Sequence, residues 1–226
     1  MIENVAVGNF IITLYLIHFG FSLLAAELRN LKWSVAALIV QSFTLACILI
    51  AFASIASNPS LYWWSATALA TKVILIPYLL WLYIRQLPTW ETRPWLGVVP
   101  STAVMLILVV MFYNFLHTHV EFIAPSLEAT LEPARSNLAL SLTICALGLW
   151  VLLVRRDAVK AVIGLVLLEN GVHLALVTLA PTLPETTLIG IVTNVIVTVW
   201  FLLYLAGRIF RTLGTTDTAI LSELKH

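Results

Sequence analysis

Long apolar runs recur along the whole chain, and they constrain its fold more than any other feature. Each run is about 20 residues long, the length that a helix needs to cross the hydrocarbon of a bilayer. The sequence predicts seven such spans, at 5–27, 33–56, 61–84, 96–117, 136–154, 158–180 and 186–209. Only 10% of the 226 residues are charged, against about 25% in a soluble domain. We therefore predict an all-α integral membrane protein with seven transmembrane helices.

The basic residues predict how these helices are oriented. Ten lysines and arginines fall on one side of the predicted membrane, and the other side holds only Arg135. Because cytoplasmic loops are enriched in lysine and arginine, we expect the N-terminus outside and the C-terminus in the cytoplasm. The chain then divides into a four-helix part (1–117), an extracytoplasmic loop (118–135), a three-helix part (136–213) and a cytoplasmic tail (214–226).

Two charged residues lie near the middle of predicted spans, where a charge is costly and usually marks a function. Lys72 is near the centre of the third span, and Glu169 lies at a similar depth in the sixth. Two opposite charges at one depth could pair, or could pass a proton through intervening water. The alternative for both residues is a static role in helix packing or in assembly with a neighbouring subunit.

Other polar residues occur within the spans. His173 follows Glu169 by one helical turn and shares its face, so it could relay protons or simply hydrogen-bond between helices. Asn194 in the seventh span is expected to line the same proton path, although a packing role is the alternative. Three more residues are interpreted mainly as helix-packing or secondary polar groups: His18, Gln41 and Asn170.

No cofactor or metal site is predicted in this chain. Cys47 and Cys145 lie singly in separate apolar runs and lack the spacing of an iron–sulfur or zinc site. His18 and His173 raise the question of a haem, but at a helical rise of 1.5 Å per residue their predicted depths differ by roughly 9 Å. We therefore expect no catalytic centre here, and the net charge of +1 predicts no nucleic-acid partner.

Three segments have a distinctive sequence: residues 61–77 with TKV around Lys72, residues 168–174 with LENGVHL, and residues 211–217. Together they resemble the membrane subunit called hydrogenase-4 component E. The last three spans are also similar to the K subunit of respiratory complex I and to the C subunit of multisubunit sodium/proton antiporters, through the sequences RRD and IGL. The resemblance covers the chain from the first span to the C-terminus.

Two positions depart from these families. In the K subunit of complex I the key glutamate comes directly after the Gly-Leu pair, where this chain has Val166, and Glu169 follows nearly one turn later. The hydrogenase component has an aspartate where this chain has Asn194. Because asparagine cannot carry a proton's charge, the resemblance implies a partial path, a path completed by a neighbour, or a structural link.

The resemblance implies a membrane-arm subunit of a group 4 nickel–iron hydrogenase, of the formate hydrogenlyase type, or of another complex-I-like assembly in a prokaryotic inner membrane. Such assemblies couple redox chemistry to movement of protons or sodium ions, so nickel–iron and iron–sulfur centres are expected in partner chains. The expected partners are antiporter-like membrane subunits, a membrane protein similar to the H subunit of complex I, and cytoplasmic redox subunits. Lys72, Glu169 and His173 take the positions of the family's intramembrane polar residues. The alternatives are a structural adaptor, or a subunit of a cation/proton antiporter without a redox partner.

Overall fold

Seven long helices make up most of the computed structural model, which describes residues 2–56, 58–87, 91, 97–180 and 185–213. Each helix is long and apolar enough to cross a membrane, so the predicted all-helical fold with seven spans is confirmed. The first to seventh spans are Ile2–Glu27, Leu31–Ala56, Ser60–Ile84, Val98–Thr118, Ala134–Val154, Ala158–Leu179 and Glu185–Leu213. The predicted tail at 214–226 lies outside the described residues.

The third span changes its helical geometry halfway along. It consists of an α-helix at Ser60–Ala68, a π-helix at Leu69–Leu75 and a second α-helix at Ile76–Ile84. The amide of Ile76 donates to the carbonyl of Thr71, five residues back. Pro77 follows directly and has no N–H to donate, which favours an irregular ladder at this level. The wider turn contains Lys72, and such π-helical turns frequently occur at functional sites.

The fifth and sixth spans pack closely because glycines lie at their contact. A Cβ added at Gly148 would lie 2.5 Å from the backbone nitrogen of Leu168. A Cβ added at Gly171 would lie 2.6 Å from both Cys145 Sγ and the carbonyl oxygen of Ser141. Small residues let helix backbones approach each other, which is a main source of helix association in lipid. The glycine of the sequence LENGVHL therefore holds the sixth span tightly against the fifth.

The spans differ strongly in how much of their surface the chain itself covers. Within an apolar 18-residue stretch of each span, 61% of the residues are buried in the second, fifth and sixth spans, whereas only 22% are buried in the fourth and seventh. The second span lies between the first, third and sixth. The connection between the fourth and fifth spans contains two short helices, Val120–Ile123 and Leu127–Thr130. The fourth and seventh spans thus leave apolar faces for lipid or for another chain.

Candidate functional site

Three ionisable side chains meet between the third and sixth spans. Lys72 Nζ lies 2.7 Å from Glu169 Oε2 and 2.7 Å from His173 Nδ1. His173 Nδ1 in turn lies 3.0 Å from Glu169 Oε1. We call these three residues the central cluster. The sequence indicates that Lys72 and Glu169 lie at a similar depth. In the structure they are also in direct contact, which depth alone could not establish.

The central cluster is enclosed by the protein. Lys72 is 1% exposed, Glu169 9% and His173 2%. The ring of Trp64 meets the imidazole of His173 edge-on, with 6.2 Å between ring centroids. An uncompensated charge at this depth would be expensive, and the carboxylate is the group that offsets the ammonium. The cluster is thus a buried charge pair with an imidazole added to it.

The position of His173 Nδ1 restricts where the protons of the cluster can be. This nitrogen can accept a hydrogen bond from Lys72 or donate one to Glu169, but it cannot do both. In one arrangement a charged Lys72 donates to both partners, and the imidazole proton is on Nε2. In the other a proton on Nδ1 is donated to Glu169, and Lys72 is neutral. Because all three distances are 3.0 Å or less, a proton can pass between these two arrangements without a large movement.

A neutral hydrogen-bond network lies beside the central cluster and links the first, second and sixth spans. His18 Nδ1 is 2.9 Å from the carbonyl oxygen of Gln41, and Gln41 Nε2 is 3.1 Å from His18 Nε2. Asn170 Nδ2 donates to Gln41 Oε1 at 2.6 Å and to Ser42 Oγ at 3.3 Å. One ring nitrogen of His18 thus faces an acceptor of Gln41 and the other faces a donor of Gln41. A neutral imidazole has one donor and one acceptor nitrogen, so it matches this pattern. This arrangement joins helices at the level of Glu169.

Asn194 is placed differently from the other predicted path residues. Its side chain is exposed on the surface of the seventh span. None of the described contacts of Lys72, Glu169 or His173 involves it. The structure therefore brings together three of the four residues that the sequence indicates for the path, and it leaves Asn194 at the surface of the chain.

A second buried lysine was missed by the sequence analysis. Lys160 is one of the ten basic residues that predict the orientation of the helices, but its side chain is 0% exposed. Its Nζ donates to the carbonyl oxygens of Ala25 and Ala26, at 2.9 and 3.1 Å, and to Ser34 Oγ at 2.6 Å. One signal was available in the sequence. Asp157 is a favourable N-cap, and its Oδ1 accepts from the amides of Val159 and Lys160, which places Lys160 in the first helical turn.

A buried salt bridge accompanies Lys160 at the same end of the bundle. Arg155 Nη2 lies 2.9 Å from Glu27 Oε2, which also accepts from Thr102 Oγ1 at 2.8 Å. We call Lys160, Arg155, Glu27, Ser34 and Thr102 the helix-end joint. It connects the first, second and fourth spans to the junction between the fifth and sixth.

A cleft of about 300 Å³ lies between the first, fourth and fifth spans, and its polar lining includes Tyr15, Tyr113 and Ser136. None of the central cluster residues lines it. In the described ranges, no three histidine, cysteine, aspartate or glutamate residues are grouped so as to hold a metal ion. The three side chains of the central cluster lie within hydrogen-bond distance of one another, which is close enough for a proton to pass among them.

Comparison with known proteins identifies the family. The chain is 31% identical over 204 residues to hydrogenase-4 component E of Escherichia coli strain K12, and this alignment covers 90% of the chain and 92% of the relative. The proteins of the same description from Escherichia coli O157:H7 and Shigella flexneri match with the same identity and coverage. The chain belongs to the hydrogenase-4 component E family. The resemblance inferred from the sequence is thereby confirmed.

The C-terminal part of this family member matches a second family. Residues 136–226 match the model of NADH-ubiquinone/plastoquinone oxidoreductase chain 4L, which confirms the predicted similarity to the K subunit of complex I. No solved structure matches the chain. Glu169, His173 and Lys160 lie within the matched residues, whereas Lys72 and Glu27 precede them. The central cluster and the helix-end joint therefore both connect the 4L-like part to the N-terminal spans.

Proposed function

We propose that this chain is a non-catalytic membrane-arm subunit of a redox-driven, ion-translocating complex, such as a group 4 membrane-bound hydrogenase or formate hydrogenlyase. Membership of the hydrogenase-4 component E family and the match to chain 4L support a membrane subunit of a complex-I-like assembly. In this proposal the chain spans a prokaryotic inner membrane with its N-terminus outside, and nickel–iron and iron–sulfur centres belong to partner chains. The translocated ion is the proton, with sodium as the alternative.

The observation that supports this proposal is the contact between Lys72, Glu169 and His173. At rest, a charged Lys72 and an ionised Glu169 balance each other. An additional proton is accepted by His173 or by Glu169, and the buried site then carries one excess positive charge. Such a charge is unstable in a low-dielectric interior, so a change in a neighbouring subunit can drive the proton onward. Glu169 is the counter-charge that makes each of these states accessible.

Asn194 supports a path that continues into another subunit. An exposed amide within a membrane span is better placed against a polar partner than against lipid. The least covered spans, the fourth and seventh, offer surfaces for such partners. We assign these faces to antiporter-like membrane proteins and to a membrane protein similar to the H subunit of complex I, with cytoplasmic redox subunits nearby. In this proposal a partner supplies the acid that Asn194 lacks.

A second candidate function is that of a structural adaptor that joins antiporter-like subunits to the redox arm. It is favoured by the hydrogen-bonded network of His18, Gln41 and Asn170, which links three helices with neutral groups. In that case the central cluster is a static charge pair. A third candidate, an antiporter subunit without a redox partner, requires sodium-dependent activity and predicts that no nickel or iron–sulfur protein co-purifies.

Substitution of Glu169 by glutamine separates these functions. Glutamine keeps the size of the side chain but cannot bind or release a proton. In membrane vesicles that contain the assembled complex, we expect Glu169→Gln to slow turnover-linked proton translocation by roughly 10²-fold, the usual contribution of a positioned proton-transfer group. The exposed Glu121 provides the matched control, and Glu121→Gln should leave translocation unchanged. Normal translocation in an assembled Glu169→Gln complex would favour the adaptor.

A further inference from the structure

The last turn of the first span has an unusual set of hydrogen-bond partners. The final four carbonyls of a helix have no partner within the helix and need donors from elsewhere. Here the amide of Leu28 satisfies the carbonyl of Leu24 in the ordinary way. The next two carbonyls, of Ala25 and Ala26, accept from Lys160 Nζ, and the carbonyl of Glu27 accepts from Arg155 Nη2 at 3.4 Å. The end of this helix is therefore capped by side chains from the junction between the fifth and sixth spans, together with Ser34 of the second span, whose Oγ donates to the carbonyl of Ala25 at 3.2 Å.

The cap has a favourable charge as well as a favourable geometry. A helix C-terminus behaves like a partial negative charge of about half an electron, which stabilises a cation within the last turn. In the described residues no carboxylate lies within 4.0 Å of Lys160 Nζ, and its three acceptors are two carbonyls and the hydroxyl of Ser34. None of these acceptors can take up a proton near neutral pH. The acceptors therefore hold the Lys160 amine in place by hydrogen bonds without exchanging a proton with it.

We propose that Lys160 is a positioning residue, which caps the first span and thereby fixes the depth of Glu169 opposite Lys72. The proposal deepens the function proposed above and rests on it for the effect on proton transfer. Lys160 and Glu169 lie on one continuous helix, about 13.5 Å apart along its axis at 1.5 Å per residue. A displacement at Lys160 is therefore carried along the helix to Glu169.

The second span provides the reference against which this depth is set. Ser34 holds Lys160 near one end of the second span, and Gln41 holds Asn170 two turns later on the same helix. The third span, with Lys72, packs along the second span too. The two attachments thus fix the sixth span relative to the helix that carries Lys72. If the Lys160 attachment is lost, the side chain of Asn170 makes the remaining described side-chain hydrogen bonds between the second and sixth spans.

Three substitutions test this proposal in the assembled complex. Lys160→Arg keeps a charged donor and should act like the natural residue. Lys160→Met removes both the charge and the hydrogen-bond donors. Lys160→Gln removes the charge but keeps donors, and it replaces the methionine variant if that variant does not assemble. Lys32 is the matched control, because it lies in the first turn of the second span at the same end of the bundle, where its Nζ lies 5.6 Å from the ring centroid of Trp81. Lys32→Met should change neither readout.

The first readout is a distance that does not depend on proton movement. Cys47 and Cys145 are first replaced by serine, and new cysteines are placed at Tyr78 and Val172, which are exposed positions on the third and sixth spans. Spin labels on the new cysteines report the distance between the two spans. We expect Lys160→Met, or Lys160→Gln in its place, to shift the distance by at least about 1.5 Å, one residue's rise, and Lys160→Arg to preserve it. A natural distance in the uncharged variant, or an equal shift in the arginine variant, overturns the proposal.

The second readout is proton translocation per turnover. Because a misplacement of about 1 Å can slow a reaction by up to 10²-fold, we expect the uncharged variants to lose about tenfold and Lys160→Arg to retain the natural rate. Loss of translocation in Lys160→Arg with a preserved distance overturns the proposal, because it identifies a lysine that must release its proton. If Glu169→Gln leaves translocation unchanged, the proposed function fails while the distance readout still tests the positioning role.

Discussion

Lys72 and Lys160 are almost equally inaccessible, yet their surroundings differ in kind. Lys72 contacts a carboxylate and an imidazole, both of which can bind a proton. Lys160 contacts two backbone carbonyls and a hydroxyl, none of which can do so near neutral pH. Burial alone therefore does not distinguish a proton-handling lysine from an anchoring one. The distinguishing property is whether the acceptors are themselves ionisable.

The largest expected effect is on stability, when each lysine is replaced by methionine. Lys72→Met leaves the Glu169 carboxylate buried without its counter-charge, which costs about 3–5 kcal/mol of unfolding free energy. Lys160→Met leaves only neutral acceptors unpaired and should cost about 1–3 kcal/mol. Thermal unfolding in mild detergent compares the two variants. A larger loss in Lys160→Met would contradict the distinction between them.

The next effect concerns the helix contact that holds both Glu169 and Lys160 in place. Gly171→Ala would place a Cβ 2.6 Å from Cys145 Sγ and from the carbonyl oxygen of Ser141, so the fifth and sixth spans must separate. Overpacking of this kind costs about 1–3 kcal/mol, which the same unfolding measurement detects. Gly20→Ala is the control, because nothing lies within 4 Å of a Cβ there. Equal stability of the two variants would show that the contact is not tight.

The smallest effect is expected at an exposed ion pair, 3.1 Å apart, between Glu132 in the connection after the fourth span and His117 in the last turn of that span. Partial burial alone would raise the pKa of Glu132, but hydrogen bonds from Ser136 and His117 outweigh it and hold that pKa below its ordinary value of 4.5. A lowered carboxyl pKa stabilises the folded state above the unfolded-state pKa, and this contribution is lost as pH falls through the lower folded-state pKa.

The protein should therefore lose a little stability as pH falls below 4.5, and the Glu132→Gln variant should not show this loss. The Glu132 side chain is 55% exposed, so solvent screening limits the contribution to less than about 1 kcal/mol. Unfolding temperatures measured between acid and neutral pH, with and without the substitution, give the difference. An effect as large as that of Lys72→Met would contradict the contrast between buried and exposed pairs.

Much of this fold was predictable because lipid imposes simple requirements. Apolar runs of the required length indicated all seven spans, and distance from the span ends placed Lys72 and Glu169 at one depth. Rotation about each helix axis was not predictable from depth. It determines that Lys72 touches Glu169 while Asn194 remains at the surface.

The missed features depend on contacts between distant parts of the chain. Pro77 cannot donate a backbone hydrogen bond, which indicates an irregularity in the third span but not that Leu69–Leu75 forms a π-helix. Lys160 follows a helix N-cap, yet its burial depends on carbonyls 134 and 135 positions earlier in the chain. Periodicity and composition carry no information about such pairs, because they describe one helix at a time.

Proton translocation by the double variant Lys72→Met/Glu169→Gln tests the central claim most directly. The two changes remove both charges together and leave no uncompensated ion. The double variant should therefore assemble and should regain most of the stability that Lys72→Met alone loses. We predict that this assembled complex turns over with translocation reduced by roughly 10²-fold. Translocation at the natural rate in the stable double variant would contradict a proton-handling role for the central cluster.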